Sequence, residues 1–227
     1  YMKVPRGFEV DGGKDEDYVL QIRKNIYGQK QAGHVWNQYL VKKLKKIGFV
    51  QSKIDECVFY RGRVMYVLYT DDSILAGPDK KELDKVIKDM KKAKLDITVE
   101  GDLADFLGIN ISRETDGTIH LSQPHLIEQI LEQLRITDEG VKTKDIPMKS
   151  LSLLSRHSDL PDFDRNFHYR SVIGKLNYLE KGSRPDISYA THQCARFCED
   201  PKKEQGDAVR WLGRYLKGNK DKGVRFK

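Results

Sequence analysis

Residues 65–77 read MYVLYTDDSILAG, and this stretch constrains the fold more than any other. Two runs fit for a buried sheet flank two adjacent carboxylates, Asp71 and Asp72. Burying one ionised carboxylate is costly, and a like-charged neighbour raises the cost. The pair therefore belongs where strands end. Successive strand residues point to opposite faces, so both side chains can approach one cation only where a turn breaks that alternation. Tyr69-Thr70-Asp71-Asp72 is positioned for such a turn. Two readings stay open: an acidic hairpin tip facing water, since Asp is common in turns, or a carboxylate pair that binds a cation. Magnesium usually takes one or two carboxylates, several waters and the substrate's phosphates. Two such ions about 4 Å apart assist phosphoryl transfer. A complete two-metal site wants a third carboxylate, and the candidates Asp17, Asp55 and Asp102 lie outside any matching strand context.

The periodicity around this stretch predicts helix, hairpin, helix, hairpin and then a helical bundle. Residues 1–31 are punctuated by Pro5, Gly7, Gly12 and Gly13. A helix is expected from about Gly33 to Ile47, with Val35, Trp36, Tyr39, Leu40, Leu44 and Ile47 on its apolar side and Gly48 ending it. Cys57–Tyr60 and Val64–Leu68 form a hairpin signal across Arg61-Gly62-Arg63, and Ser73–Gly77 is a third strand. A lysine-rich helix follows over 79–95. Strands over 106–112 and 118–121 turn at Asp116-Gly117. Ser122 can cap a short helix with Pro124 in its first turn. Residues 136–167 read as a linker, and helices are expected over about 168–181, 185–198 and 201–217, the second opened by a capping box at Ser183–Asp186. Residues 223–227 resemble a strand. This is an α+β architecture: an antiparallel sheet backed by two helices, then a helical module.

At 227 residues the chain is long enough to bury a sizeable core. Its 41 basic residues exceed 34 acidic ones, giving a net charge of +7 that makes an anionic partner plausible. Three cysteines give no disulfide framework and suit a reducing compartment. Cys194 and Cys198 stand four apart, but His192 lies on a different helix face, so buried cysteines are expected rather than a metal site. The apolar runs are short, so no membrane contact is expected. The opening Tyr1-Met2 and the terminal strand suggest a chain cut from something longer.

Eight segments together resemble the reverse transcriptase of copia-type retrotransposons. They are residues 1–8 (YMKVPRGF), 27–32 (YGQKQA) with Trp36, 69–72 (YTDD), 106–109 (FLGI), 121–123 (LSQ), 169–171 (YRS), 184–190 (RPDISYA) and 214–218 (RYLKG). They occur in the family's order and spacing along nearly the whole chain.

The resemblance implies a ferredoxin-like polymerase palm at 32–135, carrying the catalytic and primer-grip hairpins, after a remnant of the fingers–palm junction at 1–31. A helical thumb at 168–227 follows the 136–167 linker. It makes Asp71 and Asp72 catalytic and metal-binding, with magnesium as the cofactor and manganese as its substitute. Gln31, Tyr69 and Thr70 would lie by the incoming nucleotide, and Phe106, Leu107 and Gly108 would grip the primer. The implied partners are an RNA template, a DNA primer, deoxynucleoside triphosphates, an upstream fingers and palm segment and a downstream ribonuclease H domain. The implied location is the cytoplasm, within virus-like particles, or the nucleus with the cDNA. Thr70 stands where the family usually has Val, and Gly33-His34 replaces a common Pro-Arg pair. The family's first catalytic aspartate lies upstream of the Tyr1-Met2 segment, so these 227 residues alone are expected not to polymerise.

On the last helix, Lys203, Arg210, Arg214 and Lys217 share one face. The plain reading is a solvated surface; within a thumb, the same face could meet primer–template phosphates. Two functions stay open: a polymerase fragment, or a module that binds nucleic acid without chemistry. A two-metal cyclase fits the Asp pair but leaves the thumb-like motifs without a role.

Overall fold

The computed structural model describes residues 1–8, 17–138, 140–149, 154 and 161–227. It divides into two units, Tyr1–Glu100 and Gly101–Lys227.

In the first unit, β1 (Met2–Lys3) pairs with β2 (Val19–Leu20). Helix α1 (Ala32–Lys46) leads into an antiparallel meander of β3 (Val50–Gln51), β4 (Val58–Arg61), β5 (Val64–Tyr69) and β6 (Asp72–Ala76). Gly48, at φ +91°, lets the chain reverse between α1 and the sheet. Along β5, Val64, Tyr66 and Leu68 are buried while the alternate residues are not, the period-two pattern of a sheet with one covered face. Leu40 and Leu44 of α1 and Val86 and Met90 of α2 (Lys80–Lys92) complete this core. Full burial of a side chain such as Leu44 contributes about 1.5–3 kcal/mol. Asp79 caps α2 by accepting from the Glu82 amide at 2.9 Å. Arg61 donates to Asp89 at 2.7 Å, joining β4 to α2, and that hydrogen bond holds the Asp89 carboxyl below its ordinary range.

The apolar side of α1 differs from expectation. Val35, Trp36 and Tyr39 are exposed, and the two rings stack at 5.9 Å. The meander supports only the later turns of the helix, where Leu40 and Leu44 point inward.

The second unit holds its own sheet and the helices. The expected strand over 106–112 is broken: β7 (Asp105–Phe106) turns back at Leu107-Gly108 onto β8 (Ile109–Arg113). Strands β9 (Ile119–Ser122) and β10 (Val224–Phe226) complete the antiparallel order β10-β9-β8-β7. The second hairpin and the helices thus lie together in the unit Gly101–Lys227. Helix α3 (Pro124–Gln133) starts after Gln123 with no side-chain cap, because Ser122 is used by β9. Its Ile127, Ile130 and Leu131 pack with α4 (Tyr169–Gly182), α5 (Ser188–Ala195) and α6 (Lys203–Lys217) in one core. Bare backbone on α6 allows close approach. A Cβ at Gly213 would lie 2.5 Å from Leu134 Cδ1 and 2.7 Å from Ile136 Cδ1, and one at Gly206 would lie 2.6 Å from Phe163.

The segment 183–186 does not form the expected capping box. Ser183 donates instead to the buried Gln123 side chain at 2.9 Å, and Pro185–Ile187 is a 3-10 turn. Arg184 is almost fully buried; its Nε and Nη2 donate to the two oxygens of Asp186 at 2.9 and 2.8 Å, and Nη1 donates to the Asn219 carbonyl at 2.8 Å. Tyr215 donates to the same carboxylate at 2.7 Å. Burial acts to raise the Asp186 pKa, but these donors outweigh it and hold it below the ordinary value. Cys194 is a core residue, its thiol pushed up to about 12 by burial, and His192 instead faces Glu180 at 2.8 Å.

Candidate functional site

Strands β5 and β6 pair through Tyr69↔Asp72, leaving a two-residue turn of Thr70 and Asp71. Thr70 has φ +52°, while Asp71 is not left-handed. A positive first residue alone is the pattern of a turn whose ordinary occupant there is glycine. A β-branched residue in that region is an outlier that stores about 1–3 kcal/mol of strain. Asp71 therefore lies in the turn and Asp72 opens the next strand, so the alternation of faces is interrupted between them.

Tyr69, Thr70, Asp71 and Asp72 are all exposed. No cation of the described residues pairs with either carboxylate. Among the described residues both charges thus stand unpaired at an exposed hairpin tip, and the oxygen donors suit a hard divalent ion. Among the described residues no group of three or more His, Cys, Asp or Glu side chains could hold a metal. Asp55 is committed to its own turn, accepting from the Cys57 amide at 2.8 Å.

Gln31 is exposed at the N-cap position of α1, and its side chain makes no capping bond. It is available to a ligand. His34, one turn on, contacts Gln38 at 2.9 Å.

In the second unit, Leu107 and Gly108 have φ of +53° and +71°, the doubly left-handed pair of a tight hairpin turn, and Phe106 pairs with Ile109. The Leu107 carbonyl accepts from Tyr178 Oη at 2.5 Å, which ties the turn to α4. Sequence reasoning missed Tyr178. Its signal is an aromatic residue between the core positions Leu176 and Leu179, and it stays exposed.

The basic face of α6 is partly used by the fold. Lys203 is exposed, but the Arg210 guanidinium lies 5.6 Å from the Phe167 ring and Lys217 donates to the Asp138 carbonyl. Trp211 is not in the core: its Nε1 donates to the Ile146 carbonyl at 3.0 Å, and Lys144 lies 4.0 Å over its ring.

Residues 1–150 match the family described as reverse transcriptase (RNA-dependent DNA polymerase). The chain is 36% identical over 234 residues to the retrovirus-related Pol polyprotein from transposon RE2 of Arabidopsis thaliana, covering 100% of this chain and 15% of the relative. It is 32% identical over 229 residues to that from transposon TNT 1-94 of Nicotiana tabacum, covering 96% of this chain and 17% of the relative. It is 30% identical over 220 residues to the transposon Ty5-1 protein YCL074W of Saccharomyces cerevisiae, covering 95% of this chain and 70% of the relative. No solved structure matches it. The chain belongs to the reverse transcriptase family of retrotransposon Pol polyproteins. It spans about a sixth of the length of the plant relatives.

Proposed function

We propose that this chain is the palm and thumb region of an RNA-directed DNA polymerase, which adds deoxynucleotides to a primer 3′-hydroxyl along an RNA template. The single observation behind this is the strained, exposed Thr70-Asp71 turn, whose two carboxylates have no ion-pair partner among the described residues. Asp71 and Asp72 would hold magnesium, which when bound supplies the positive charge that triphosphate oxygens need during phosphoryl transfer.

The other residues take roles their positions allow. Tyr69 and Thr70 fix the turn that presents the carboxylates. Gln31 offers an unengaged amide at the head of α1, suited to orienting a nucleotide. The Phe106–Gly108 turn, tied to α4 by Tyr178, gives a fixed surface for the primer strand. Lys203 and Arg214 of α6 offer charge toward phosphates. Among the described residues no third carboxylate joins Asp71 and Asp72, and on this reading a further one completes the two-metal site, so residues 1–227 alone are expected not to extend a primer. The proposed setting is the cytoplasm, within a particle that also holds the remaining Pol domains.

Asp71→Asn in the complete polymerase tests the reading by primer extension. Extension should be abolished while the fold persists, because removing one charge from an exposed acidic tip relieves repulsion. Unimpaired extension would remove Asp71 from the catalytic centre.

A further inference from the structure

The chain's positive charge is not spread evenly. Residues 18–54 contain eight of the 41 basic residues and none of the 34 acidic ones, leaving 33 basic against 34 acidic residues elsewhere. The net charge of the whole protein therefore resides in this one segment. Within it, the outer side of α1 and the neighbouring strand enclose an open groove of about 650 Å³, lined by Asn37, Gln38, Lys42, Lys45, Lys46 and Gln51 among others. The three lysines are exposed, and none pairs with a carboxylate among the described residues. The one acidic side chain on the lining is Glu56.

Lysines in the last turn of a helix also complement its dipole, which accounts for Lys45 and Lys46. That effect does not account for a 37-residue stretch without a single carboxylate, nor for a groove lined by ammonium and amide donors. Compare α2, where Lys81, Lys85 and Lys88 alternate with Glu82, Asp84 and Asp89. There three carboxylates offset half of the helix's six lysines, whereas α1 has four lysines and no carboxylate.

We propose that this groove is a second nucleic-acid contact, separate from the Asp71–Asp72 tip, in which Lys42, Lys45 and Lys46 hold successive phosphodiesters of a strand and the Asn37 amide donates to a phosphate oxygen, the Gln38 and Gln51 amides being engaged with His34 and the Glu56 carbonyl. It rests on the polymerase reading for its partner, and its test does not depend on catalysis. The contact is to the backbone, so it carries no base sequence preference.

The test is binding of a fluorescent RNA–DNA duplex to residues 1–227 at several salt concentrations. Wild type is compared with Lys42→Gln/Lys45→Gln/Lys46→Gln and with Lys81→Gln/Lys85→Gln/Lys88→Gln, which loses the same charge from α2. Three phosphate contacts are worth about 2.7 in the log–log salt slope. Between 50 and 200 mM salt, wild type should therefore lose roughly 40-fold more affinity than the α1 variant. The α2 variant should keep the wild-type slope. Equal flattening by both variants, an unchanged α1 slope, or no wild-type binding overturns the groove. Failure of the polymerase reading registers separately, as unimpaired extension by Asp71→Asn.

Discussion

Asp186→Asn removes the charge that the buried Arg184 is built around. The arginine is 1% exposed and spends three of its donors on Asp186 and the Asn219 carbonyl. The amide can accept from Nε as before, but its NH₂ then faces Nη2 and the Tyr215 hydroxyl, both donors at 2.7–2.8 Å in the native site. Breaking a buried pair from one side costs about 3–5 kcal/mol. The Asp186 side chain is 36% exposed, so water recovers part of that, and about 3 kcal/mol is expected. For a unit of this size the loss corresponds to roughly 10 °C in melting temperature. Trp211 lies in the second unit and Trp36 in the first, so urea unfolding followed by fluorescence in a Trp36→Phe background reports the relevant unit. The pH dependence has a definite sign. Because the folded pKa of Asp186 is depressed, its stabilisation is complete above the unfolded value and is lost as pH falls through the folded one. The gap between wild type and variant should be constant over roughly pH 5–7 and shrink below about pH 4. A loss under about 1 kcal/mol, or a gap unchanged in acid, would refute the network as the source of the stability.

Thr70→Gly should relieve the left-handed turn. Allowing for glycine's greater chain entropy, the first unit should gain about 1 kcal/mol in urea unfolding followed by circular dichroism; a net loss would mean the turn is not strained. Arg210→Ala with Arg214→Ala should flatten the salt dependence of duplex binding by about 1.8 if both meet phosphates. Because Arg210 also covers Phe167, the same variant should lose about 0.5–1 kcal/mol of stability. An unchanged slope would return this helix face to solvent.

The order of elements was readable because each has a local cause. Apolar residues repeat at helical spacing in α2 and α6, and Gly48, Gly62 and Gly117 mark reversals that side chains resist. The turn at Thr70-Asp71 was legible for a different reason: two like charges cannot continue into a covered sheet. What failed was non-local. Nothing in 106–112 announces that Leu107 adopts a positive φ, since leucine rarely does. Trp36 and Tyr39 have the same spacing whether or not a sheet lies beneath them. Arg184 and Asp186 looked like a helix start because the partners that redefine them, Asn219 and Tyr215, lie some thirty residues away. The grouping of the second hairpin with the helices likewise depends on β10, at the far end of the chain.

The two glycines of α6 divide that helix into positions with unequal tolerance of change. At Gly213 any side chain must displace Leu134 and Ile136, both buried, and at Gly206 it must displace Phe163. Overpacking of this kind costs about 1–3 kcal/mol, a large share of the margin by which a domain stays folded. On the exposed side, by contrast, Lys203, Glu204 and Asp207 can be exchanged at within about 0.5 kcal/mol. A lineage accumulating random substitutions would thus meet little stability cost at Glu204 and Asp207 and a steep one at Gly206 and Gly213. The bare backbone at Gly206 and Gly213 acts as a sieve on inheritance, set by how closely Phe163, Leu134 and Ile136 approach this helix.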